Sequence, residues 1–352
     1  MAVCFAYAWG AETAVQLVDM GWTLSSTSAS YIAPNVTYQY IAPGAPAGHS
    51  IGVRRSETLV QPAAFRPASA QGSIQVVVRL SSGEVPQNNY ILVRAHDSGT
   101  GSAIYLTISS GGALNLYVDN VYKSTSALAY DFQDWVTITL FYDMRATLWI
   151  GRAEVNGVES NSAATDSRSA VVSGASVTQV IYGAANSYNL GTNFGMMVVR
   201  DTYAESAPVG RYATIIQLDS DVGARTTGTW TPDTGSDSFA RINENPLDTA
   251  NYTEEASPSA SDVLTCGFTA NLSTKLGFTP GTIDAVACYT YSTGLNNTAK
   301  AGVGDGSSVT HGSTETIGST TTSAGAIAET KPSGGAWAGT DLPEATYTVV
   351  SI

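Results

Sequence analysis

Short runs of Val, Ile, Leu and Tyr alternate with clusters of Gly, Asn, Asp and Ser between residues 72 and 203. This alternation predicts β-strands separated by turns, because β-branched and aromatic residues suit a half-buried strand. Strands at this spacing favour an all-β fold, a two-sheet sandwich or jelly roll. The runs occupy residues 72–80, 88–97, 102–109, 113–120, 134–143, 146–160, 177–184 and 194–203.

Three short stretches predict hairpins between these strands. Asn156-Gly157 is the strongest signal, because both residues readily adopt the positive φ of a tight two-residue turn. Asp119-Asn120 and the stretch from Ser109 to Gly112 are of the same kind. Helical signals are weak, and only residues 11–21 place apolar side chains at helical spacing.

A break in the strand pattern predicts a domain boundary. Residues 201–210 contain Pro and Gly and few apolar side chains, and a new strand pattern follows at 211–221. We therefore expect a jelly roll over residues 1–205, with residues 1–20 as an N-terminal arm. A smaller β-sandwich is expected over residues 206–352.

The strands expected in the second domain are less regular. Candidates lie at residues 262–272, 282–292, 306–313 and 345–352, and residues 312–335 should form thin or edge-like strands because they are rich in Ser, Thr, Ala and Gly. Residues 306–313 and 345–352 contain no Lys or Arg, the charges that commonly protect edge strands. We expect both to be edges open to association.

Composition and charge narrow the range of partners. Apolar residues make up 43% of the 352 residues, which is typical of globular proteins, but only 13% are charged. The 16 basic and 29 acidic side chains give a net charge of −13. Phosphate binding needs clustered Lys and Arg, so we expect no nucleic-acid partner. No apolar run is long enough to predict insertion into a membrane.

A group of carboxylates lies in the stretch TWTPDTGSDSFARINENPLD, residues 229–248. Asp233 and Asp237 lie among Gly, Ser and Thr, where Asp side chains commonly accept backbone hydrogen bonds and stabilise turns. The spacing does not match an EF-hand loop. A turn region is therefore favoured over a cation site or a catalytic centre, and no metal or cofactor is expected.

No arrangement of residues predicts an enzyme. Hydrolysis of glycosides needs paired carboxylates, and a strand with repeated acidic residues is missing. The nearest pairs, Asp131 with Asp134 and Glu154 with Glu159, flank predicted turns, where a solvated role is expected. Among His49, His96 and His311, only His96 has an acidic neighbour, and its position favours the end of a strand.

Aromatic residues offer candidates for binding. Tyr117, Tyr122 and Tyr130 lie in and near a polar hairpin, where exposed rings could contact a glycan. The alternative is partial burial with a hydrated hydroxyl group, the usual state of tyrosine. Trp135 and Trp149 have apolar neighbours and are expected in the core.

The first domain has Trp135 at the start of a predicted strand, an acidic turn after that strand, and Val155-Asn156-Gly157 before a closing strand. In this order of features it resembles laminin-G-like, concanavalin-like jelly rolls. It covers about residues 20–205 and implies the sandwich fold expected from the strand pattern.

A second resemblance rests on Trp230-Thr231-Pro232, Ile242-Asn243-Glu244-Asn245-Pro246, Trp337, Asp341 and Leu342. At these positions the second domain resembles a family of tailed-bacteriophage structural proteins. The resemblance implies a non-enzymatic virion protein, a head or tail decoration or appendage made in the host cytoplasm. Its partners would be other capsid or tail proteins and copies of itself, with a trimer as the first expectation. An adhesin that binds host surface polysaccharide is the alternative.

The N-terminal residues 1–9 are more apolar than a free terminus usually is, so something should cover them. The cover could be the chain's own sandwich, a sister subunit or the particle shell. The expected assembly contacts are Cys4, Phe5, Tyr7 and Trp9.

The three cysteines are Cys4, Cys266 and Cys288, and no Cys-x-x-Cys spacing suggests a structural zinc site. Cys266 and Cys288 both lie in candidate strands, so a disulfide across neighbouring strands is one alternative. Because phage proteins are made in a reducing cytosol, free thiols are the expectation.

Overall fold

The chain divides into two compact units, Met1–Ile41 with Ala47–Ala213 and Ala42–Pro46 with Thr214–Ile352. The expected boundary at residue 205 falls among residues outside the described part of the chain and stays a prediction. The computed structural model describes residues 3–6, 17, 22–25, 32–35, 50–54, 57–61, 70–84, 86, 88–99, 101–145, 148–167, 177–183, 191–200, 218–242, 250–277, 279–281, 283, 285–294, 297–318 and 322–351.

The elements described in the first unit are antiparallel strands. In chain order they are β1 (Val3–Ala6), β2 (Thr23–Leu24), β3 (Ile32–Asn35), β4 (Ser50–Arg54), β5 (Leu59–Val60), β6 (Gln71–Leu80), β7 (Tyr90–Asp97), β8 (Ser102–Ile108), β9 (Ala113–Val118), β10 (Val121–Ala129), β11 (Val136–Asp143), β12 (Leu148–Val155), β13 (Val158–Ser167), β14 (Gln179–Tyr182) and β15 (Gly191–Arg200).

These strands form two sheets that pack face to face. Sheet I has the order β13-β12-β11-β6-β15-β4-β3, and β1 also pairs with β15. Sheet II has the order β10-β9-β8-β7-β14-β5-β2. The sheets lie close together at Gly151 of sheet I, where an added Cβ would lie 2.9 Å from methyl groups of Ile104 and Val118 of sheet II. The expected two-sheet sandwich is confirmed.

Alternating burial of side chains explains why most strands of sheet II could be predicted from the sequence. In β9, Leu114, Leu116 and Val118 are fully buried, whereas Asn115 and Tyr117 between them are half-buried. One face therefore supplies the core of the sandwich and the other faces outward. Trp149 is also fully buried, as expected, but Trp135 is only partly buried and precedes the strand it was expected to begin.

The predicted hairpin turns are confirmed. Asp119 and Asn120 have φ of 53° and 63°, and Asn156 and Gly157 have φ of 50° and 77°. Two consecutive positive φ values define a turn whose twist matches that of the flanking strands. The sequence pattern did not predict β10, because most of its side chains are polar or exposed.

The N-terminal strand belongs to the chain's own sandwich. Cys4 and Phe5 of β1 pair through their backbones with Val199 and Val198 of β15. Tyr7 and Trp9 lie outside the described residues, as does most of the expected helix at residues 11–21. The role of these residues in assembly stays a prediction.

In its described residues, the second unit combines short strands with two short helices. Its elements are β16 (Ser220–Asp221), a 3-10 turn (Gly223–Arg225), β17 (Trp230–Pro232), α1 (Phe239–Ile242), β18 (Thr253–Glu255), β19 (Val263–Gly267), α2 (Leu272–Leu276), β20 (Val286–Ser292), β21 (Asn297–Gly304), β22 (Val309–His311), β23 (Glu315–Ile317), β24 (Thr322–Ala328) and β25 (Glu344–Ser351).

The main sheet of this unit has the order β16-β19-β25-β21-β22, with β23 also paired to β21, and β20 pairs with β24 in a two-stranded ribbon. The ribbon packs on the sheet around Trp337, which contacts a buried cluster that includes Ala301, Val303, Ala326 and Ala328. The indole N–H of Trp337 donates to the carbonyl oxygen of Ala328 at 2.8 Å. The unit is therefore a second, smaller β-sandwich, as expected.

One expectation for the second unit is wrong. The terminal strand β25 lies in the middle of the sheet, between β19 and β21, and is not an edge. Its lack of Lys and Arg follows from this position, because charged side chains suit edges and β25 is hydrogen-bonded on both sides. The other expected edge, β22, does lie at the end of the sheet.

The helix α2 was not predicted. The side chain of Asn271 accepts a hydrogen bond from the backbone N–H of Thr274, and Gly277 ends the helix with a φ of 75°. This pairing of an N-terminal Asn cap with a C-terminal Gly is a local signal that a strand reading of residues 262–272 overlooks. No helix in the described ranges is long and apolar enough to cross a membrane.

Candidate functional site

Tyrosines on three neighbouring strands of sheet II form a row across its outer face. Tyr105 of β8 is the direct cross-strand partner of Tyr117 of β9, which in turn pairs with Tyr122 of β10. Arg94 of β7 is the cross-strand partner of Tyr105 and continues the row. Side chains of directly paired residues project from the same face of a sheet. We refer to Tyr105, Tyr117 and Tyr122 as the tyrosine row.

The register of the strands decides that this row faces away from the core. Ile104 and Leu106, on either side of Tyr105, are fully buried. Because successive side chains of a strand point to opposite faces, Tyr105 and its partners must project outward. Tyr122, on the edge strand β10, is 52% exposed, and Tyr105 and Tyr117 are half-buried.

The rings of the row contact one another in two different geometries. Tyr105 and Tyr117 are stacked, with centroids 4.6 Å apart and ring planes within 6°. Tyr117 and Tyr122 meet edge to face, with centroids 5.8 Å apart and an angle of 70°. The Cζ atom of Arg94 lies 5.7 Å from the ring centre of Tyr105. The stack holds Tyr117 in place, and Tyr122 retains the most exposed ring.

Hydroxyl and amide groups lie beside the rings. The Tyr122 hydroxyl is 2.9 Å from the Oγ1 atom of Thr125, which donates to the side-chain oxygen of Asn115 at 2.6 Å. The Tyr117 hydroxyl donates to the side-chain oxygen of Asn89 at 3.2 Å. These exposed groups can exchange their mutual hydrogen bonds for bonds to a ligand.

Burial alters the titration of the inner end of the row. Burial, together with the nearby Tyr117, raises the pKa of Tyr105, and the adjacent Arg94 offsets only part of this effect. Burial also lowers the pKa of the Arg94 guanidinium, while Tyr105 acts in the opposite direction. Arginine stays protonated in proteins, so Arg94 supplies the row with one cation at neutral pH.

Sequence reasoning identified part of this row. Of the three candidate tyrosines, the structure brings Tyr117 and Tyr122 together and places Tyr130 elsewhere. Tyr105 and Arg94 were missed because each looks like an ordinary strand residue. Their signal was the polar position that each occupies between buried neighbours, but only the strand register places them beside Tyr117.

Tyr130 lines a separate open cleft of about 480 Å³ at one end of the sandwich. Its ring meets Phe132 edge to face, and it has a side-chain hydrogen bond with Ser160 of sheet I. Burial raises the pKa of Tyr130, and this hydrogen bond acts against the increase. The carboxylates at the cleft are those of Glu84 and Asp131. Because its hydroxyl is hydrogen-bonded to a residue of sheet I, we assign Tyr130 a structural role between the two sheets.

The acidic pairs considered for hydrolysis have unlike surroundings. Glu154 was expected to be solvated, but it is 3% exposed and forms an ion pair with Arg152 at 2.7 Å. Arg152 lies over the ring of Phe141, which explains how the charged pair is accommodated. Glu159, the cross-strand partner of Glu154, is exposed.

The second acidic pair lies in a turn, as expected. Asp131 and Asp134 are both exposed, and a side-chain oxygen of Asp131 accepts the backbone N–H of Gln133 at 2.9 Å. The carboxylate of Asp131 thus stabilises the turn that precedes β11.

The carboxylates of residues 229–248 that the structure describes also have structural partners. Asp233 pairs with Arg241 at 3.7 Å and accepts the backbone N–H of Tyr252 at 3.4 Å. Asp237 accepts a hydrogen bond from Ser236. Glu244 and Asp248 lie outside the described residues. In the described part of the chain, no group of three or more His, Cys, Asp or Glu residues could hold a metal ion.

The carboxylate of Asp221, just upstream, organises the same region. Its two oxygens accept the backbone N–H groups of Ser238 and Phe239, at 2.8 and 2.7 Å, where α1 begins. Helix N-termini have unpaired N–H groups that a carboxylate can satisfy. Cys266 donates its thiol hydrogen to Asp221 at 3.5 Å.

Further reactive side chains are those of His96, its neighbour Asp97 and the cysteines. His96 lies at the end of β7 beside Gln179, with its Nδ1 atom 3.0 Å from the amide oxygen, and burial lowers its pKa. Asp97 instead accepts the backbone N–H of Gly99 in the following turn. Cys266 and Cys288 are free thiols. The side chain of Cys4 and the whole of His49 lie outside the described residues.

No protein-family model matches the chain, and no curated protein matches it. Among solved structures, it is similar to the cellulose induced protein Cip1, with 10% identity and a TM-score of 0.38 over 52% of this chain and 93% of that one. It is similar to the sialidase of Trypanosoma rangeli, with 11% identity and a TM-score of 0.37 over 58% of this chain, but it spans only 30% of that chain.

A third similar structure is a carbohydrate esterase from the Shiga toxin-encoding bacteriophage phi24B. The identity is 15% and the TM-score is 0.37, over 56% of this chain and 98% of that one. None of these likenesses carries an activity to this chain.

Proposed function

We propose that this chain is a non-enzymatic carbohydrate-binding protein and that its first unit contacts polysaccharide through the tyrosine row. The observation that carries the proposal is the position of Tyr122, which is 52% exposed at the end of a stacked pair of rings. The C–H faces of sugar rings pack on aromatic rings, and tyrosine adds a hydroxyl group for hydrogen bonds.

The polar neighbours of the row support this chemistry. Asn115 and Thr125 offer amide and hydroxyl groups beside the ring of Tyr122, and sugars present hydroxyl groups that both donate and accept. Tyrosine pairs across strands also stabilise a sheet without any ligand. Sheet stabilisation explains the stacked rings of Tyr105 and Tyr117. It does not explain why the ring of Tyr122 is exposed.

Binding without turnover fits the surroundings of the described carboxylates. Glu154 is held by Arg152, and Asp131 is engaged in a turn. We therefore expect no hydrolysis of bacterial surface polysaccharides, measured by release of reducing ends. Turnover that is lost in the Glu154→Gln or Glu159→Gln variant would contradict the non-enzymatic part of the proposal.

We place this binding activity on the virion of a tailed phage, as a decoration or appendage protein. The support is the resemblance of the second unit to phage structural proteins at Trp230-Thr231-Pro232, Trp337, Asp341 and Leu342. In this unit Trp337 packs in the core, and Asp341 accepts the backbone N–H of Ala338 at 2.7 Å. Electron microscopy of particles labelled with an antibody to the chain tests this placement, and unlabelled particles would contradict it.

A glycan array probed with the full chain tests carbohydrate binding. We expect Tyr122→Ala to weaken binding about tenfold, which corresponds to about 1.4 kcal/mol, the loss typical of one exposed aromatic contact. The matched control is Tyr252→Ala, because Tyr252 is 48% exposed but lies in the second unit. Absence of any glycan signal, or an equal loss in both variants, would refute the proposal.

A further inference from the structure

Arg94 has no carboxylate partner, unlike four other arginines in the described part of the chain. Within the described part of the chain, its guanidinium makes no hydrogen bond and no ion pair, and its Nε atom is buried without a partner. Its close contact is the ring of Tyr105. By contrast, a carboxylate lies within 4.0 Å of each of Arg145, Arg152, Arg225 and Arg241.

An unpaired guanidinium is unfavourable in a half-buried position, since burial removes water from the charge without replacing it. The net charge of −13 means that carboxylates are plentiful in this chain, yet among the residues that the structure describes none lies beside Arg94. A carboxylate supplied by a ligand would satisfy the planar donor face of the guanidinium with two parallel hydrogen bonds.

The length of the site restricts the ligand. From Arg94 to Tyr122 the row crosses β7, β8, β9 and β10, three inter-strand spacings that together span about 14 Å. A single sugar is shorter than this distance. A ligand that contacts both ends must therefore be an oligosaccharide that lies across the strands.

We propose that the tyrosine row binds an acidic oligosaccharide whose carboxylate pairs with Arg94 and whose chain extends over Tyr117 to the exposed ring of Tyr122. This inference rests on the proposed carbohydrate binding and adds its ligand class. A strongly anionic polymer such as nucleic acid is disfavoured, because the row has one cation and the chain as a whole is acidic.

Calorimetric titration of the full chain tests the proposal with two matched pairs of ligands. The first pair is trigalacturonic acid and its methyl ester, and the second is a sialylated trisaccharide and the same glycan without its sialic acid. We expect at least one acidic glycan to bind tenfold or more tightly than its neutral counterpart. Arg94→Gln should remove this preference, so that the variant binds the acidic glycan no more tightly than its neutral counterpart.

Two further variants separate charge from geometry. Arg94→Lys keeps the charge but loses the planar donor face, so we expect it to retain only part of the preference. Arg145→Gln is the control, because Arg145 is exposed and pairs with Asp143 on sheet I. Circular dichroism and the melting temperature establish that each variant is folded.

The outcomes distinguish this inference from the proposed function. Equal binding of acidic and neutral glycans, with both weakened by Tyr122→Ala, would refute the role of Arg94 and leave carbohydrate binding standing. A preference that survives in Arg94→Gln would also refute it. Binding of sulfated glycans alone, again dependent on Arg94, would overturn the assignment of a carboxylate. If no glycan on the array or in the titrations binds, both proposals fail.

Discussion

At the scale of single residues, Gly151 shows how closely the two sheets of the first unit pack. An alanine Cβ at this position would lie 2.9 Å from methyl groups of Ile104 and Val118, both of which are fully buried. We expect Gly151→Ala to lower the free energy of unfolding of this unit by about 1 to 3 kcal/mol, the usual effect of overfilling a packed core.

Chemical denaturation measures this effect, and Gly111→Ala is the control. Gly111 lies in the same unit, and the nearest atom to its added Cβ is the hydroxyl oxygen of Ser109 at 3.9 Å. An equal change in both variants would show that crowding between the sheets at Gly151 is not the cause of the lost stability.

The cysteines of the second unit should be unreactive in the folded protein. Burial raises the pKa of Cys288 from 9.0 to about 12, which lowers its thiolate fraction at pH 8. Burial, and then the carboxylate of Asp221, also raise the pKa of Cys266. Labelling with iodoacetamide at pH 8, followed by mass spectrometry, should modify both residues slowly in native protein and rapidly in denaturant. Rapid native labelling, or a missing thiol in denaturant, would contradict this expectation.

At the scale of elements, the turn after β21 depends on one carboxylate. Asp305 accepts hydrogen bonds from the backbone N–H groups of Ser307 and Ser308 in this turn. It also accepts hydrogen bonds from the backbone N–H and the side-chain hydroxyl of Ser333 in a distant loop. Burial alone would raise the pKa of Asp305, but the hydrogen bonds from Ser333, Ser308 and Ser307 outweigh it and lower the pKa.

This lowered pKa predicts the direction of a pH effect. The unfolded chain binds a proton at Asp305 near pH 3.9, so the stabilisation is present above that pH and is lost as the pH falls through the lower native pKa. We expect Asp305→Asn to lose about 1 kcal/mol at pH 7, a value reduced by solvent screening, and less at pH 3. Melting temperatures at both pH values measure the difference, with Asp237→Asn as the control. A gap that widens on acidification would contradict the assignment.

The edge strand β10 illustrates how one element connects structure and proposed function. It carries Tyr122 at the end of the row, and most of its other side chains are exposed. Its pairing with β9 is irregular after Tyr122 and again after Thr125. Such irregularities increase local twist and redirect side chains at sheet edges. The exposed ring is therefore presented by the edge of the sheet.

At the scale of the whole molecule, the division into two units predicts a protease-sensitive connection. We expect limited proteolysis between residues 205 and 212 to yield two stable fragments of about 22 and 15 kDa, because linkers are preferred sites of cleavage. Mass spectrometry of the fragments locates the cut. A chain that resists cleavage there, or fragments that are degraded at once, would contradict independent folding of the units.

Assembly is the second prediction at this scale. A chain in which only 13% of residues are charged has few charges to prevent self-association, and we expect a homo-oligomer, with a trimer as the first expectation. Deletion of residues 1–9 removes β1 from the edge of β15 and should weaken the oligomer while the sandwich stays folded. Light scattering of both proteins measures this. A monomer that the deletion leaves unchanged would refute the prediction.

The amino-acid sequence by itself determined the all-β class, most of the long strands of the first unit and their tight turns. These features depend on local preferences, such as the positive φ of Asn156 and Gly157, which neighbouring residues express wherever they lie. The exposed hairpin with Tyr117 and Tyr122 could be predicted from the sequence for the same reason, because its two tyrosines are only five residues apart.

Only the tertiary structure showed which strands, far apart in the sequence, lie side by side in a sheet. It placed β25 in the centre of its sheet, although its sequence suggested an edge, and it buried Glu154 against Arg152. It also aligned Arg94 with Tyr105 and the tyrosine row, through a strand register that no single segment encodes. Register depends on which faces are buried across the whole sandwich, and a shift of one residue would turn every side chain of the row toward the core.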